Sequence, residues 1–306
     1  MEERIYDVII AGAGPAGITA SIYAVRKGLS TLVLTGDIGG QTGWTGDIEN
    51  YIGYQFISGA ELVMKFEEHM KKYNVDVREK EKVVKVKREN GVIYVDTADG
   101  RYQARTVIIA SGKKSKELGV PGEKEFRARG IAYCATCDAP LFAGKNVAVV
   151  GGGNSALEAA LQLFRIAKKV YVINIAPELG GDAVMRDKIV REKNVTVMND
   201  SRVTAILGDR FVNEIGVESG GEAKSIPIEG VFVEIGLIPN TEFESDIEKN
   251  ESGEIKVNCY NETSVGGIFA AGDVTNVPEK QIIIAAGEGA KATLSAYRYL
   301  AKRVGT

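Results

Sequence analysis

Apolar and polar positions along this chain fall into two matching arrangements. The first starts with a buried run, Val8-Ile9-Ile10, that meets Gly12-Ala13-Gly14-Pro15-Ala16-Gly17. Ile18, Ile22 and Val25 follow at helical spacing, and a second apolar run, Thr31 to Leu34, closes the unit. The second arrangement repeats that order. Val147 to Val150 is its strand and Gly151-Gly152-Gly153-Asn154-Ser155-Ala156 its turn. Ala160, Leu163, Phe164 and Ala167 form a helical stripe, and Val170 to Ile173 is the next strand. The distance along the chain from Gly12 to Thr35 equals that from Gly151 to Asn174. One glycine-rich turn is a weak sign, but two strand–turn–helix–strand units together are a strong one. The chemistry they suit is dinucleotide binding. The first glycine permits a tight turn, the second lets the backbone approach a pyrophosphate, and a small third residue lets helix and strand pack. The helix N-terminus then offers N–H groups to the anion.

A strand meander follows each unit. Residues Val75 to Gln103 alternate charged and branched side chains around Asn90-Gly91, a hairpin turn; Val195 to Ile228 repeat the theme. Each meander leads into an apolar strand ending in glycine or a turn, Thr106 to Gly112 and Val231 to Asn240. Gly266 to Val274 is another buried strand without a dinucleotide turn, so it must complete the first domain. The expected fold is α/β: two nested Rossmann-like domains in three layers with β-meanders. Residues 1–113 plus 243–306 form one, and 114–242 the other.

Composition narrows the class. A chain of 306 residues accommodates two domains, and a formal net charge of -3 supplies no basic field for nucleic acid or an anionic membrane. No apolar run approaches the roughly 20 residues needed to span a bilayer, and the start of the chain does not read as a signal peptide. Only three cysteines are present, two of them in Cys134-Ala135-Thr136-Cys137. That count suits a cytoplasmic chain with redox-active thiols better than a disulfide scaffold. A zinc site would need more ligands; Cys259 and His69 are remote and each alone. Two cysteines three apart can close a small disulfide ring, and a helix start lowers a thiol pKa. His69 reads as part of an exposed helix, Cys259 as an ordinary free thiol, and Trp44 as a packing residue in a glycine-rich loop.

GAGPAG near the start, CATCD in the middle, GGGNSA after it and GGIFAAGDV near the end resemble, in this order, low-molecular-weight thioredoxin reductases. The stretches GDIENYIGY, APELGGDAVMRDKI and KQIIIAAGEGAKATLSAYRYL resemble the C-terminal portion of the alkyl hydroperoxide reductase flavoprotein more closely. That flavoprotein carries an extra N-terminal thioredoxin-like portion, so the resemblance implies a stand-alone, homodimeric reductase of a separate thioredoxin- or glutaredoxin-like protein. It implies the pyridine nucleotide-disulfide oxidoreductase fold, with FAD on the first unit and a nicotinamide nucleotide on the second. The FAD positions would be Gly12, Gly14, Pro15, Ala16, Gly17, Gly40, Gln41, Asn50, Gly112, Asp273, Gln281 and Ile282. Those for the nicotinamide nucleotide would be Gly151, Gly153, Asn154, Ser155, Ala156 and Asn174. Cys137 would face the flavin, Cys134 would attack the partner's disulfide, and Asp138 would manage the thiol protons. Read without the motif, Asp273 and Asp138 are also good helix caps.

NADP-using relatives carry an arginine cluster after the second strand of the nucleotide unit. Here no basic residue lies between Asn174 and Asp182, and Glu178 and Asp182 would repel a 2′-phosphate. NADH is therefore expected over NADPH, with the Asn174 amide on a ribose hydroxyl. Alternatives are a peroxiredoxin reductase or NADH oxidase in peroxide defence, a ferredoxin-driven reductase, and a non-catalytic nucleotide-binding module; the intact cysteine pair argues against the last.

Overall fold

The structure is a computed structural model that describes residues 4–44 and 47–304, without the side chains of Trp44, Asp47, Arg303 and Val304. The chain opens with β1 (Ile5–Ala13), α1 (Pro15–Arg26) and β2 (Thr31–Ile38). A short antiparallel pair, β3 (Asp47–Ile48) and β4 (Ile57–Ser58), leads into α2 (Gly59–Lys71), whose first turn is capped by the Ser58 hydroxyl accepting from Glu61 N. Then come β5 (Asp76–Arg78), β6 (Val83–Glu89), β7 (Val92–Thr97) and β8 (Arg101–Ile109). The hairpin between β6 and β7 turns at Asn90 and Gly91, both in the left-handed region that such a turn requires.

The first sheet runs β5-β2-β1-β8 in parallel. One expectation changes here. The last strand of the meander and the apolar strand after it are one nine-residue strand, not two. Strand β8 pairs antiparallel with β7 over its first half and parallel with β1 along most of its length. Where β7 stops, β19 (Ile268–Ala270) takes its place, pairing with Val107–Ile109. The C-terminal strand thus completes the first sheet. Helix α6 (Ile282–Val304) lies against α1. A Cβ at Gly289 would fall 2.0 Å from the Ala16 carbonyl, so glycine permits that contact, and Thr293 Oγ1 donates across it to Ala20 O.

Between these pieces lies the nested unit. β9 (Lys113–Ser115), β10 (Ile131–Ala132) and α3 (Ala135–Asp138) precede β11 (Asn146–Val150), α4 (Asn154–Leu163), β12 (Lys169–Ile173), α5 (Ala183–Arg191) and β13 (Val195–Met198). Next come β14 (Ser201–Gly208), β15 (Val212–Ser219) and β16 (Glu222–Pro227), then β17 (Gly230–Val233) and β18 (Leu237–Pro239). The second sheet is parallel throughout, β10-β17-β11-β12-β13, and its meander β14-β15-β16 stands apart as a separate three-stranded sheet. Val147, Val149, Val172 and Phe232 are fully buried, as strands covered on both faces must be.

The expected continuous strand Val231 to Asn240 is also corrected: it breaks at Glu234–Gly236, where Gly236 turns with φ +105°. The remainder, β18, pairs antiparallel with β9. Both crossings between the sheets therefore run side by side as one two-stranded ribbon. Asn240 Nδ2 donates to Ser111 O, and Ser111 Oγ donates back to Asn240 O.

Candidate active site

A cleft of about 1340 Å³ runs between the two sheets. Its floor is the turn between β1 and α1. Gly12 holds φ +110°, and a Cβ there would lie 2.4 Å from Ala110 O. A Cβ at Gly17 would lie 1.9 Å from Gly12 O, so no larger residue lets α1 sit on its strand. Gly14, by contrast, faces open space, and Pro15 starts the helix at a position with no intrahelical partner for its missing N–H. Such a bare backbone with a helix N-terminus behind it fits a pyrophosphate.

Other elements converge on the same cleft. Gly40, Gln41, Gly112, Asp273, Gln281 and Ile282 line it together with Gly12, Gly14, Pro15 and Ala16. Gln41 Nε2 donates to Lys113 O at 2.6 Å. Asn50 Nδ2 donates to Gln281 Oε1 at 3.1 Å, tying the loop before β4 to the start of α6. Gln281 precedes α6, so the positive end of a 23-residue helix points into the cleft. Burial pushes the Asp273 carboxyl up, while Lys280 and Lys113 oppose the shift. The group around it is invisible in the sequence. Lys113 and Lys280 both bond Glu254, at 2.5 and 3.2 Å. Burial works against the Glu254 charge, but Lys113, Asn250 and Lys280 outweigh it and hold its carboxyl low. Burial and Lys113 push Lys280 down. Three residues spread over 167 positions have no spacing from which this cluster could be read.

Across the cleft sit the two cysteines, bonded to each other as a disulfide with Cα atoms 5.4 Å apart. Cys134 is the N-cap of α3, and its Sγ accepts from Cys137 N at 3.2 Å. Helix α3 packs against β3 of the first unit and against α4, where Gln162 Nε2 reaches Thr136 Oγ1 at 3.4 Å. Asp138 is 8% exposed and lines the cleft beside the cysteines. Glu234, at the break after β17, accepts from Ala135 N at 3.3 Å. Burial pushes its carboxyl up to about 7, the Ala135 N–H opposes this, and Glu158 and Asp138 add to it. Sequence reasoning missed Glu234; its signal was an acid at the end of the apolar run Val231-Phe232-Val233.

The second glycine turn lies on the nested unit. A Cβ at Gly151 would lie 2.3 Å from Glu234 O, and Ala156 is fully buried as the small third residue. Gly153 faces open space at the N-terminus of α4, and Asn154 and Ser155 are exposed. Asn154 Oδ1 accepts from Asp182 N, which holds the loop before α5. Asn174 is buried and engaged: its Nδ2 donates to Ala176 O, Glu178 O and Asn199 Oδ1, and its Oδ1 accepts from Ala176 N. The amide expected on a ribose hydroxyl is thus used to shape the 175–178 turn. Arg186 Nη1 donates to Leu179 O in the same loop. His69 and Cys259 are exposed and away from the cleft, and the Trp44 side chain lies outside the described residues.

Residues 6–289 match the model of the pyridine nucleotide-disulphide oxidoreductase family. This chain belongs to that family. The family's chemistry joins a flavin to a nicotinamide nucleotide, and both glycine turns suit such ligands. The chain is 44% identical over 304 residues to the F component of alkyl hydroperoxide reductase from Escherichia coli, covering 96% of this chain but 58% of that protein. Among solved structures it is similar to thioredoxin reductase from Streptococcus pyogenes, with 40% identity, a TM-score of 0.93 and coverage of 97% of this chain and 99% of that one. It is also similar to Lactococcus lactis thioredoxin reductase in its FR conformation, with 35% identity, coverage of 97% and 99%, and a TM-score of 0.67. Among the described residues no helix is long and apolar enough to cross a membrane, and no group of three or more His, Cys, Asp or Glu could hold a metal ion.

Proposed function

We propose that this chain is a flavin-dependent disulfide reductase. It passes electrons from NADH through FAD and the Cys134–Cys137 disulfide to a thioredoxin- or glutaredoxin-like protein, and works as a homodimer in the cytoplasm. One observation carries this reading: the disulfide shares a single cleft with the first glycine turn and the α6 N-terminus. The units are divided as 1–113 plus 243–306 for FAD and 114–242 for the nicotinamide nucleotide.

The residues present fit FAD. Gly12, Gly14 and Gly17 would bring backbone to the pyrophosphate, Asp273 would hold the ribityl–phosphate portion, and Gln281 with the α6 N-terminus would hold the ring. Bound there, FAD supplies two-electron exchange between a nicotinamide and a disulfide. The chain does the rest. Cys137 would be the sulfur turned to the flavin, Cys134 would form the mixed disulfide with the partner, and Asp138 would give and take the thiol proton. Helix α3 supplies Cys134 with an N-cap environment that favours a thiolate.

One disulfide cannot touch both the flavin and a partner protein, so the nested unit must swing. The β9–β18 ribbon is the hinge: both crossings pass through it, with Gly112 and Gly236 at positive φ beside it. The fall in TM-score from 0.93 to 0.67 at nearly equal coverage fits one fold in two arrangements.

A second reading, a peroxiredoxin reductase or NADH oxidase in peroxide defence, is favoured by the likeness to the F component of alkyl hydroperoxide reductase. One experiment separates them. The FAD-loaded protein is given NADH and then candidate redoxins one at a time. Rapid NADH oxidation only with a thioredoxin- or glutaredoxin-like protein is expected. Equal oxidation with oxygen alone, or only with a peroxiredoxin, selects the second reading.

A further inference from the structure

The acid at the break after β17 is not used by the proposed mechanism, yet it is the side chain that holds the front of the cysteine turn. Glu234 Oε1 accepts the Ala135 N–H, the first donor of α3, next to the N-cap Cys134. Its backbone is held on both sides: Glu234 N donates to Val150 O, and its carbonyl closes over Gly151. The charged groups acting on it are Glu158 from α4 and Asp138 from α3, both acids. A carboxylate here occupies one of the N–H donors at the helix start that Cys134 caps, and it brings a negative charge to that turn.

We propose that Glu234 is a positioning residue for the Cys134–Cys137 couple: it binds a proton from solvent when the disulfide opens and releases it when the disulfide re-forms. This rests on reading the pair as a redox couple. Opening breaks the S–S bond and adds two electrons, leaving two sulfurs that together take up to two protons. Any negative charge that stays on sulfur favours protonation of a buried carboxylate on the same turn. Because burial already places that carboxyl at about 7, its occupancy changes at neutral pH rather than far from it. Thiol reactivity and carboxyl protonation are then one coupled titration.

The test is made in a Cys259→Ser background, so that the exposed third thiol does not react. The protein is reduced with dithiothreitol, freed of it, and alkylated with iodoacetamide from about pH 5 to about pH 9, the span over which thiols of this kind titrate. Alkylation is read at Cys134 by peptide mass. Glu234→Gln should displace the Cys134 profile to lower pH, with several-fold faster alkylation near neutrality. Superimposable profiles from two folded proteins overturn the proposal. Should the variant not fold, the parent still decides the matter. Reduction by dithiothreitol exchanges one disulfide for another, so in weak buffer near neutrality each cysteine left as thiolate releases one proton, and Glu234 takes protons up against that release. Net release smaller than the thiolate fraction read from the alkylation profile is expected; release equal to that fraction overturns the inference. Neither readout uses a redoxin or a nicotinamide. A shifted profile without redoxin reduction would leave this inference standing while the proposed function falls.

Discussion

The two glycine turns have the same plan and different tolerances. In the first, the third small position is Gly17, where a Cβ would sit 1.9 Å from the Gly12 carbonyl. In the second it is Ala156, whose methyl is fully buried but fits. Around the first turn, β2, β8, β19 and the start of α6 close in, and β8 is shared by sheet and meander. Around the second, Gly153, Asn154 and Ser155 are exposed and the meander is detached. An enclosed turn suits a ligand that stays, and an open one suits a ligand that comes and goes. The difference lies in packing, not in the motif.

Breaking the first turn should have the largest effect. Gly17→Val places a branched side chain against backbone that cannot retreat. Overpacking alone costs about 1–3 kcal/mol, and displacement of α1 removes the pyrophosphate cradle. Protein without flavin absorbance and with a lowered Tm is expected. At the matching position, Ala156→Gly should cost only about 1 kcal/mol and leave flavin bound. Equal damage at both sites would erase the contrast.

The cysteines of the nested unit come next. Cys134→Ser should abolish reduction of the partner and leave a thiolate beside the oxidised flavin, read as a long-wavelength charge-transfer band. Cys137→Ser should also abolish turnover but trap a mixed disulfide through Cys134, seen by mass. The reverse assignment of band and adduct would exchange their roles. A cross-link fixing the first sheet to the nested one should permit either flavin reduction by nicotinamide or dithiol exchange. Full turnover in the locked protein would remove the need for a hinge.

On the proposed function, the open second turn sets the nucleotide choice. A charge-assisted bond contributes roughly 1.5–3 kcal/mol, and about 1.4 kcal/mol is tenfold in binding. Without two such bonds, and with Glu178 exposed nearby, kcat/KM for NADPH should fall on the order of a hundredfold below that for NADH. Arg186, which bonds the loop at Leu179 O, and Lys188 are the cations placed to weaken that discrimination. Arg186→Ala should widen the preference; NADPH preferred by the unmodified protein would reverse the assignment.

The smallest effect is on stability. The Glu234 carboxyl is raised to about 7 by burial, above its value in an unfolded chain. Between those two values the folded state binds the extra proton, so this stabilisation is complete below the unfolded value and is lost as pH rises through about 7. The Tm of the parent should therefore fall relative to that of Glu234→Gln as pH goes from mildly acidic to mildly alkaline. A constant difference would mean that Glu234 does not titrate there.

Repetition, periodicity and glycine spacing were enough to read both dinucleotide units, the Asn90-Gly91 hairpin, the return of the 266–274 strand and the cysteine pair. Each of these is a local rule. A turn needs positive φ, a strand buried on both faces needs a continuous apolar run, and a disulfide ring needs a short separation. Tertiary structure alone decided the rest. Only packing shows that β8 joins the parallel strands to the meander within one sheet, that the two crossings form one ribbon, and that Asn174 spends its amide on its own loop. Only packing brings Lys113, Glu254 and Lys280 together and sets Glu234 against the Ala135 N–H. Such pairings depend on burial and on contacts between distant segments, and the free energy of a buried charge is set by neighbours that sequence order does not name.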